Sequence, residues 1–246
     1  MMAVILTLVA LAAATLSGMT GLGGGTVLIA ALYAAGLAPA VAVPLHAGVQ
    51  LVSNGTRTLA YLTHVDWRGL ALFLVGAAPA PFLVAPLVVR ADADLLRLVM
   101  AGFVVLATMP GLIHRARLGG AAGLVAAGAI SGGAGMVVGA TGLLIAPFFL
   151  REDWSKETVI ASMAVCQTLV HLLKIAAFAW QGFGLLGELD LLVPMSVAVI
   201  AGTLLGRRMV GLFDERLFRI VFRIVLLSLA ARLAYDGVTG LLGVGG

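Results

Sequence analysis

Apolar residues run in eight long blocks along this chain, at roughly 2–36, 40–63, 67–89, 95–113, 118–150, 157–181, 185–210 and 217–242. Short charged or helix-breaking stretches separate them: GLAP, THVDWR, RADAD, HRAR, REDWSKE, GELD and FDER. A helix needs about 20 consecutive apolar residues to cross a bilayer, so most blocks predict one membrane helix each. Trp67, Trp154 and Trp180 all fall at block ends, where an interfacial aromatic belt places them. The first and fifth blocks, about 33 residues each, are too long for one simple span and short for two. Both are interrupted by glycine: GMTGLGGGT in the first, SGGAGMVVGATG in the second.

That matched pair of interruptions predicts an internal repeat. With an offset of 117, Gly25 falls on Gly142, Gln50 on Gln167, Asn54 on His171 and Arg57 on Lys174. An offset of 122 near the end of each half aligns Asp92 with Asp214, Leu95 with Leu217, Arg97 with Arg219 and Val99 with Val221. The expected fold is all-α: one polytopic membrane domain of two homologous repeats, 1–116 and 117–246. Each repeat holds a glycine-broken helix or hairpin followed by three transmembrane helices. If each broken block crosses once, eight of eleven loop or helix-end Lys and Arg share one face; if each folds back, nine of eleven do. The positive-inside tendency therefore leans towards inverted halves with both termini outside, a common transporter design.

Composition agrees. Of 246 residues, 62% are hydrophobic and only 11% charged, against roughly 25% charged in an average soluble domain; the mean hydropathy is +1.15. The net charge of +4 fits basic loops at lipid headgroups rather than a nucleic-acid surface. One cysteine, Cys166, excludes a disulfide framework within the chain, and the four histidines lack metal-ligand spacing. No metal and no cofactor are expected. The apolar N-terminus has no basic flank and reads as a first membrane segment rather than a cleaved signal.

Two constellations could carry chemistry. The stretch SGMTGLGGGTVLIA, Ser17 to Ala30, holds five glycines, three of them consecutive, in a segment free of Asp, Glu, Lys and Arg from Met1 to Thr56. Irregular backbone at membrane depth persists only where protein buries it or a wet cavity meets it. A helix starting after the glycines would aim free N–H groups and its positive dipole end at that point. Gly23, Gly24, Gly25 and Thr26, with Gly139, Thr141 and Gly142 in the second copy, are the expected anion cradle; the alternative is close helix packing by small residues, the reading for Gly128-x-x-x-Gly132 and Gly202-x-x-x-Gly206. The second constellation is a polar stripe. His46, Gln50, Asn54 and Arg57 share one helical face, and Gln167, His171 and Lys174 repeat it. Intramembrane ionisable groups suggest a site, with snorkelling of Arg57 and Lys174 to headgroups as the alternative. The acids fall in loops or towards block ends, with Asp236 six residues from the end of the last block, which disfavours an Asp- or Glu-based sodium or proton site.

The early GLGGGTVLIA, its partner GATGLLIAPFFL, the two halves of four blocks and the total length resemble the sulfite exporter TauE/SafE family, also called TSUP permeases. The resemblance covers nearly the whole chain. It implies an integral carrier of the bacterial inner membrane for small sulfur-containing anions such as sulfite, thiosulfate or organosulfonates, with the anion held between the repeats near the midplane. Family members often have proline where this chain has Ala30, while the second copy keeps Pro147. The expected partners are a small anion and the lipid bilayer, and a homo-oligomer is compatible. An anion channel or accessory subunit is the alternative; an intramembrane enzyme is disfavoured, since the interior supplies no metal-binding acids.

Overall fold

The computed structural model describes residues 1–20, 23–109, 120–151, 153–209 and 215–244. The expected junction at 116/117, with His114, Arg115 and Arg117, lies outside them, as do Asp214 and the side chains of Leu217, Arg219 and Val221. The described residues form helices: α1 (Met2–Thr20), α2 (Gly24–Ala34), α3 (Pro39–Ala60), α4 (Trp67–Ala77), α5 (Ala80–Arg90), α6 (Ala93–Thr108), α7 (Gly120–Gly133), α8 (Gly135–Val138), α9 (Gly142–Phe149), α10 (Lys156–Trp180), α11 (Leu189–Met209) and α12 (Glu215–Leu241). Among the described residues, four helical stretches are long and apolar enough to cross a membrane: Trp67–Arg90, Lys156–Trp180, Leu185–Gly206 and Arg223–Leu241.

The glycine-rich blocks break as the sequence predicts. Gly23 takes φ 94° as it leads into α2, a left-handed conformation open to glycine at little cost. In the second half the break is wider: Gly139, at φ 67°, separates the single turn of α8 from α9. After the first break the chain folds back on itself. A Cβ at Gly24 would strike the Ala13 carbonyl and lie 2.7 Å from Ser17 Cβ. α2 then runs straight through Ala30 for eleven residues, while α9, with Pro147 inside it, has eight.

Half-helix α2 is buried almost throughout, from Thr26 to Tyr33, enclosed by α1, α3, α6 and α12. Four helix pairings carry the rest: α1 with α11, α4 with α7, α3 with α10 and α6 with α12. Two of them are glycine contacts. A Cβ at Gly202 or Gly206 of α11 would meet the α1 backbone at Leu11 O and Thr15 O. One at Gly128 of α7 would strike Phe73 O of α4, and one at Gly132 would sit 2.8 Å from Ala77 O. Both GxxxG pairs are thus close-packing devices, as expected. Such contacts replace the hydrophobic drive that lipid cannot supply.

Polarity runs opposite to that of a soluble protein. Leu83, Leu87, Val75 and Val197 are exposed, while Thr26, His46, Ser131, Thr141, Gln167, His171 and Lys174 are buried. Apolar side chains outside and polar ones inside mark an integral membrane protein. Loops gather at two ends. Asp66 N donates to Ser162 Oγ at 3.0 Å, and a Cβ at Gly69 would lie 3.2 Å from the Trp154 ring, joining the loops before α4 and α10. At the opposite end the last turns of α12 lie against Asp94. Asp92 caps α6 there by accepting from Asp94 N and Leu95 N at 2.8 and 3.0 Å.

Gly128→Val is expected to destabilise detergent-purified protein by at least about 1–3 kcal/mol, the usual range for overpacking, seen as a lower melting temperature. Gly102, with open space where its Cβ would go, should accept Ala with an unchanged or slightly higher one.

Candidate functional site

Both half-helices begin about halfway along the helix that follows them. His46 Nε2 lies 3.0 Å from the Gly25 carbonyl, and a Cβ at Gly25 would run into the Gln50 amide; His46 and Gln50 are mid-α3 residues. In the second half Gln167, in the middle of α10, donates from Nε2 to Thr141 Oγ1 at 3.4 Å and Ser131 Oγ at 3.3 Å. Ser131 and Thr141 share a buried hydrogen bond of 2.7 Å. Because α3 packs on α10, the two helix starts face each other across one partly open cavity of about 70 Å³. A water needs about 10–15 Å³ of such space, so the cavity has room for a few waters or one small polyatomic anion.

The cavity wall contains Gly23, Gly25 and Thr26 at the start of α2, and Thr141 and Gly142 at the start of α9. Gln50, Asn54 and Arg57 of α3, with Gln167 and His171 of α10, complete the polar part. The first internal bonds of α2 run from Thr26 N and Val27 N to Gly23 O, and those of α9 from Leu144 N and Ile145 N to Thr141 O. The amides ahead of them, on Gly24, Gly25, Gly142 and Leu143, have no partner within their own helix, as at every helix start. Two positive dipole ends therefore meet at one point.

Four residues singled out from sequence stand off this wall. Gly24 faces α1, where its missing Cβ makes room for the Ala13 carbonyl; its reason for being glycine is packing. Gly139 faces Ile29, whose Cγ1 would lie 2.6 Å from an added Cβ. His46 is fully buried, its ring 5.7 Å from that of His171 in an edge-on pair. Lys174 is also fully buried and donates from Nζ to Gly139 O at 2.6 Å, so it does not reach the membrane surface. It satisfies a carbonyl that the break between α8 and α9 frees.

Ser17, Ser53 and Leu143 also line the cavity and were missed. Ser53 was legible, since it lies three residues after Gln50 and four before Arg57 on the same helical face. Ser131 was not, because it enters through folding of α7 against α9.

Arg57 is the cation of the wall, with no acidic partner among the described residues. The described ion pairs all lie elsewhere: Arg97 with Asp94, Arg151 with Asp153 at 2.6 Å and Arg232 with Asp236 at 2.7 Å. Among the described residues no carboxylate lines the cavity. Among the described residues no group of three His, Cys, Asp or Glu side chains could hold a metal ion. Asn54 is partly committed, donating from Nδ2 to the Gln50 carbonyl at 3.1 Å; the second hydrogen of that amide remains to donate. The wall thus presents backbone amides, side-chain amides, hydroxyls and one guanidinium, a donor set matched to an oxyanion.

The sequence profile of the sulfite exporter TauE/SafE family matches residues 6–233. A probable sulfite/organosulfonate exporter TauE of Cupriavidus necator is 24% identical over 233 residues, covering 90% of this chain and 89% of its own length. No solved structure matches the chain significantly. With the profile spanning nearly every helix described above, the chain belongs to the sulfite exporter TauE/SafE family and is a membrane transporter rather than an enzyme.

Proposed function

We propose that this protein is a secondary transporter that moves a small sulfur oxyanion, sulfite, thiosulfate or an organosulfonate, through the cavity between α2 and α9. The observation that carries this reading is the meeting of two helix starts and the unpaired Arg57 in one carboxylate-free cavity. An unpaired cation inside a membrane protein costs roughly 3 kcal/mol on insertion scales, and a bound anion offsets that cost. The Cupriavidus relative, named a probable sulfite/organosulfonate exporter, supports the same substrate class. The planar guanidinium of Arg57 suits two oxygens of a sulfonate or sulfite at once, while the backbone amides and the Gln50 amide bond to whatever oxygens remain.

The proposal extends to architecture. The chain consists of two repeats, 1–116 and 117–246, related by a pseudo-two-fold axis in the membrane plane. Exchanging α1 with α7, α4 with α11, α3 with α10 and α6 with α12 leaves the set of four principal helix pairings unchanged, which supports the exchange. The fold-back at Gly24 puts the start of α3 at the end opposite the loop carrying Arg68. That loop and the Arg151–Lys156 loop share one end, the cytoplasmic one by the positive-inside tendency. The membrane is then the bacterial inner membrane, with both chain termini outside.

A thermal-shift screen against sulfite, sulfate, thiosulfate, taurine and sulfoacetate, with carboxylates as controls, tests the substrate class. Binding to the folded state stabilises it by about 2.7 kcal/mol at one hundred times the dissociation constant. A response to carboxylates alone would sink the sulfur-anion reading. In liposomes, saturable flux with counterflow is expected; flux that never saturates would make the protein a channel.

Arg57→Gln should weaken anion binding roughly ten- to a hundredfold, as expected for losing a charge-assisted hydrogen bond of about 1.5–3 kcal/mol, and should leave the empty protein at least as stable. Arg57→Lys keeps the charge but loses the fork, and should fall between the two. An unchanged dissociation constant in Arg57→Gln would move the site elsewhere.

For topology, single cysteines in a Cys166→Ser background at Ala91 and at Ser155 should react with an impermeant maleimide from outside and from inside the cell, respectively. Labelling of both from one side would overturn the inverted arrangement.

A further inference from the structure

Between the anion cavity and the opposite end of the protein lies a layer that binding of an anion does not by itself account for. A second cavity, of about 220 Å³, is lined by Ala40, Val41 and Pro44 at the start of α3 and by Phe183, Leu185 and Glu188 after α10. On α3 only the residues between Pro44 and Gln50 separate the two spaces, about 9 Å at 1.5 Å per residue. In that interval sits His46, fully buried, edge-on to His171, with Lys174 one turn further along α10.

We propose that the His46–His171 pair is a proton-binding site placed in the wall between the two cavities, so that an anion in the first cavity is bound, and carried, together with a proton. The proposal rests on reading that cavity as the anion site. The Nδ1 atoms of both histidines are buried and have no hydrogen-bond partner. The Gly25 carbonyl can only accept, so the hydrogen of neutral His46 is on Nε2. The bare Nδ1 lone pair of His46 is then a vacant proton acceptor in a place where an unpaired polar atom is costly. Histidine is the side chain that changes charge near neutral pH.

The surrounding groups set the direction of coupling. From α2 the pair meets the Gly25 carbonyl, from α10 Lys174, and across the cavity Arg57 of α3. Tyr33 of α2 is engaged with Val137 O at 3.0 Å, and α7, α8 and α9 bring no ionisable side chain. Glu188 lines the second cavity rather than this layer, and among the described residues no carboxylate within the layer balances a further positive charge. A negative ion in contact with His171 supplies that balance, so proton and anion each favour the other's binding, and the coupling is reciprocal. The proton comes from hydronium or a buffer acid in the aqueous phase: its bond to the donor breaks as the N–H bond forms on an imidazole nitrogen, and the conjugate base stays in solution.

The test is calorimetric titration of the full-length protein in detergent with thiosulfate and with sulfoacetate, both fully ionised near neutral pH. Titration in two buffers of different ionisation enthalpy gives the number of protons taken up. Uptake approaching one proton per anion is expected, with a dissociation constant that rises towards tenfold per pH unit on going alkaline. His46→Gln retains a donor to Gly25 O but no proton acceptor, and with His171→Gln should bring proton uptake towards zero and flatten the pH dependence. Binding without proton exchange, or uptake that persists in the double variant, overturns the proton site and leaves the anion cavity standing. Failure of every sulfur anion to bind the wild-type protein overturns both.

Discussion

Backbone amides cannot be left bare in hydrocarbon, and the arrangement of this molecule follows from how it meets that constraint at two places. The chain stops a helix in mid-protein at Gly23 and again around Gly139, then starts another. Each stop frees carbonyls and each start frees amides. Lys174 takes the Gly139 carbonyl freed at the second break, while His46 meets the carbonyl of Gly25 in the first turn of α2. The amides of the two starts are brought to one shared cavity, where Arg57 adds positive charge and no acid removes it. What would be a defect in an ordinary membrane helix becomes a concentration of donors.

The glycines divide into two physical roles that look identical in a sequence. Gly202, Gly206, Gly128 and Gly132, like Gly24, are small because another backbone occupies the space of their Cβ. Gly25 is small because the Gln50 amide and the cavity occupy it, and Gly23 because its backbone is left-handed. The first group holds helices together without help from the hydrophobic effect; the second shapes the cavity. Within a single GGG run, adjacent residues therefore answer to different constraints.

The layer containing His46, His171 and Lys174 is buried between the two cavities. It is the part of the wall where buried polar groups outnumber their partners, and it lies where α3 and α10, the helices that follow the two breaks, press together. Its neighbours on α3 include Pro44, which removes a helical hydrogen bond one turn after the helix begins.

Much of this was legible in the sequence. Eight apolar blocks, the shortage of charge and the two glycine interruptions determined a helical membrane protein with two mid-membrane breaks, because hydropathy and helix length answer to the bilayer and not to neighbouring residues. The face shared by Gln50, Asn54 and Arg57 was readable too, since helical periodicity alone aligns them, and Ser53 belongs to it by the same rule. Tertiary structure decided which side of each break met the cavity. Gly24 and Gly25 are indistinguishable by composition, and only the position of α1 assigns one to packing. Arg57 and Lys174 stand 117 positions apart on matching stretches of the sequence, yet the folding of α8 and α9 over α10 buries Lys174 on a carbonyl while Arg57 stays in the wall. The partner of a buried polar group is chosen by helices far away in sequence, and spacing along one helix carries no record of that choice.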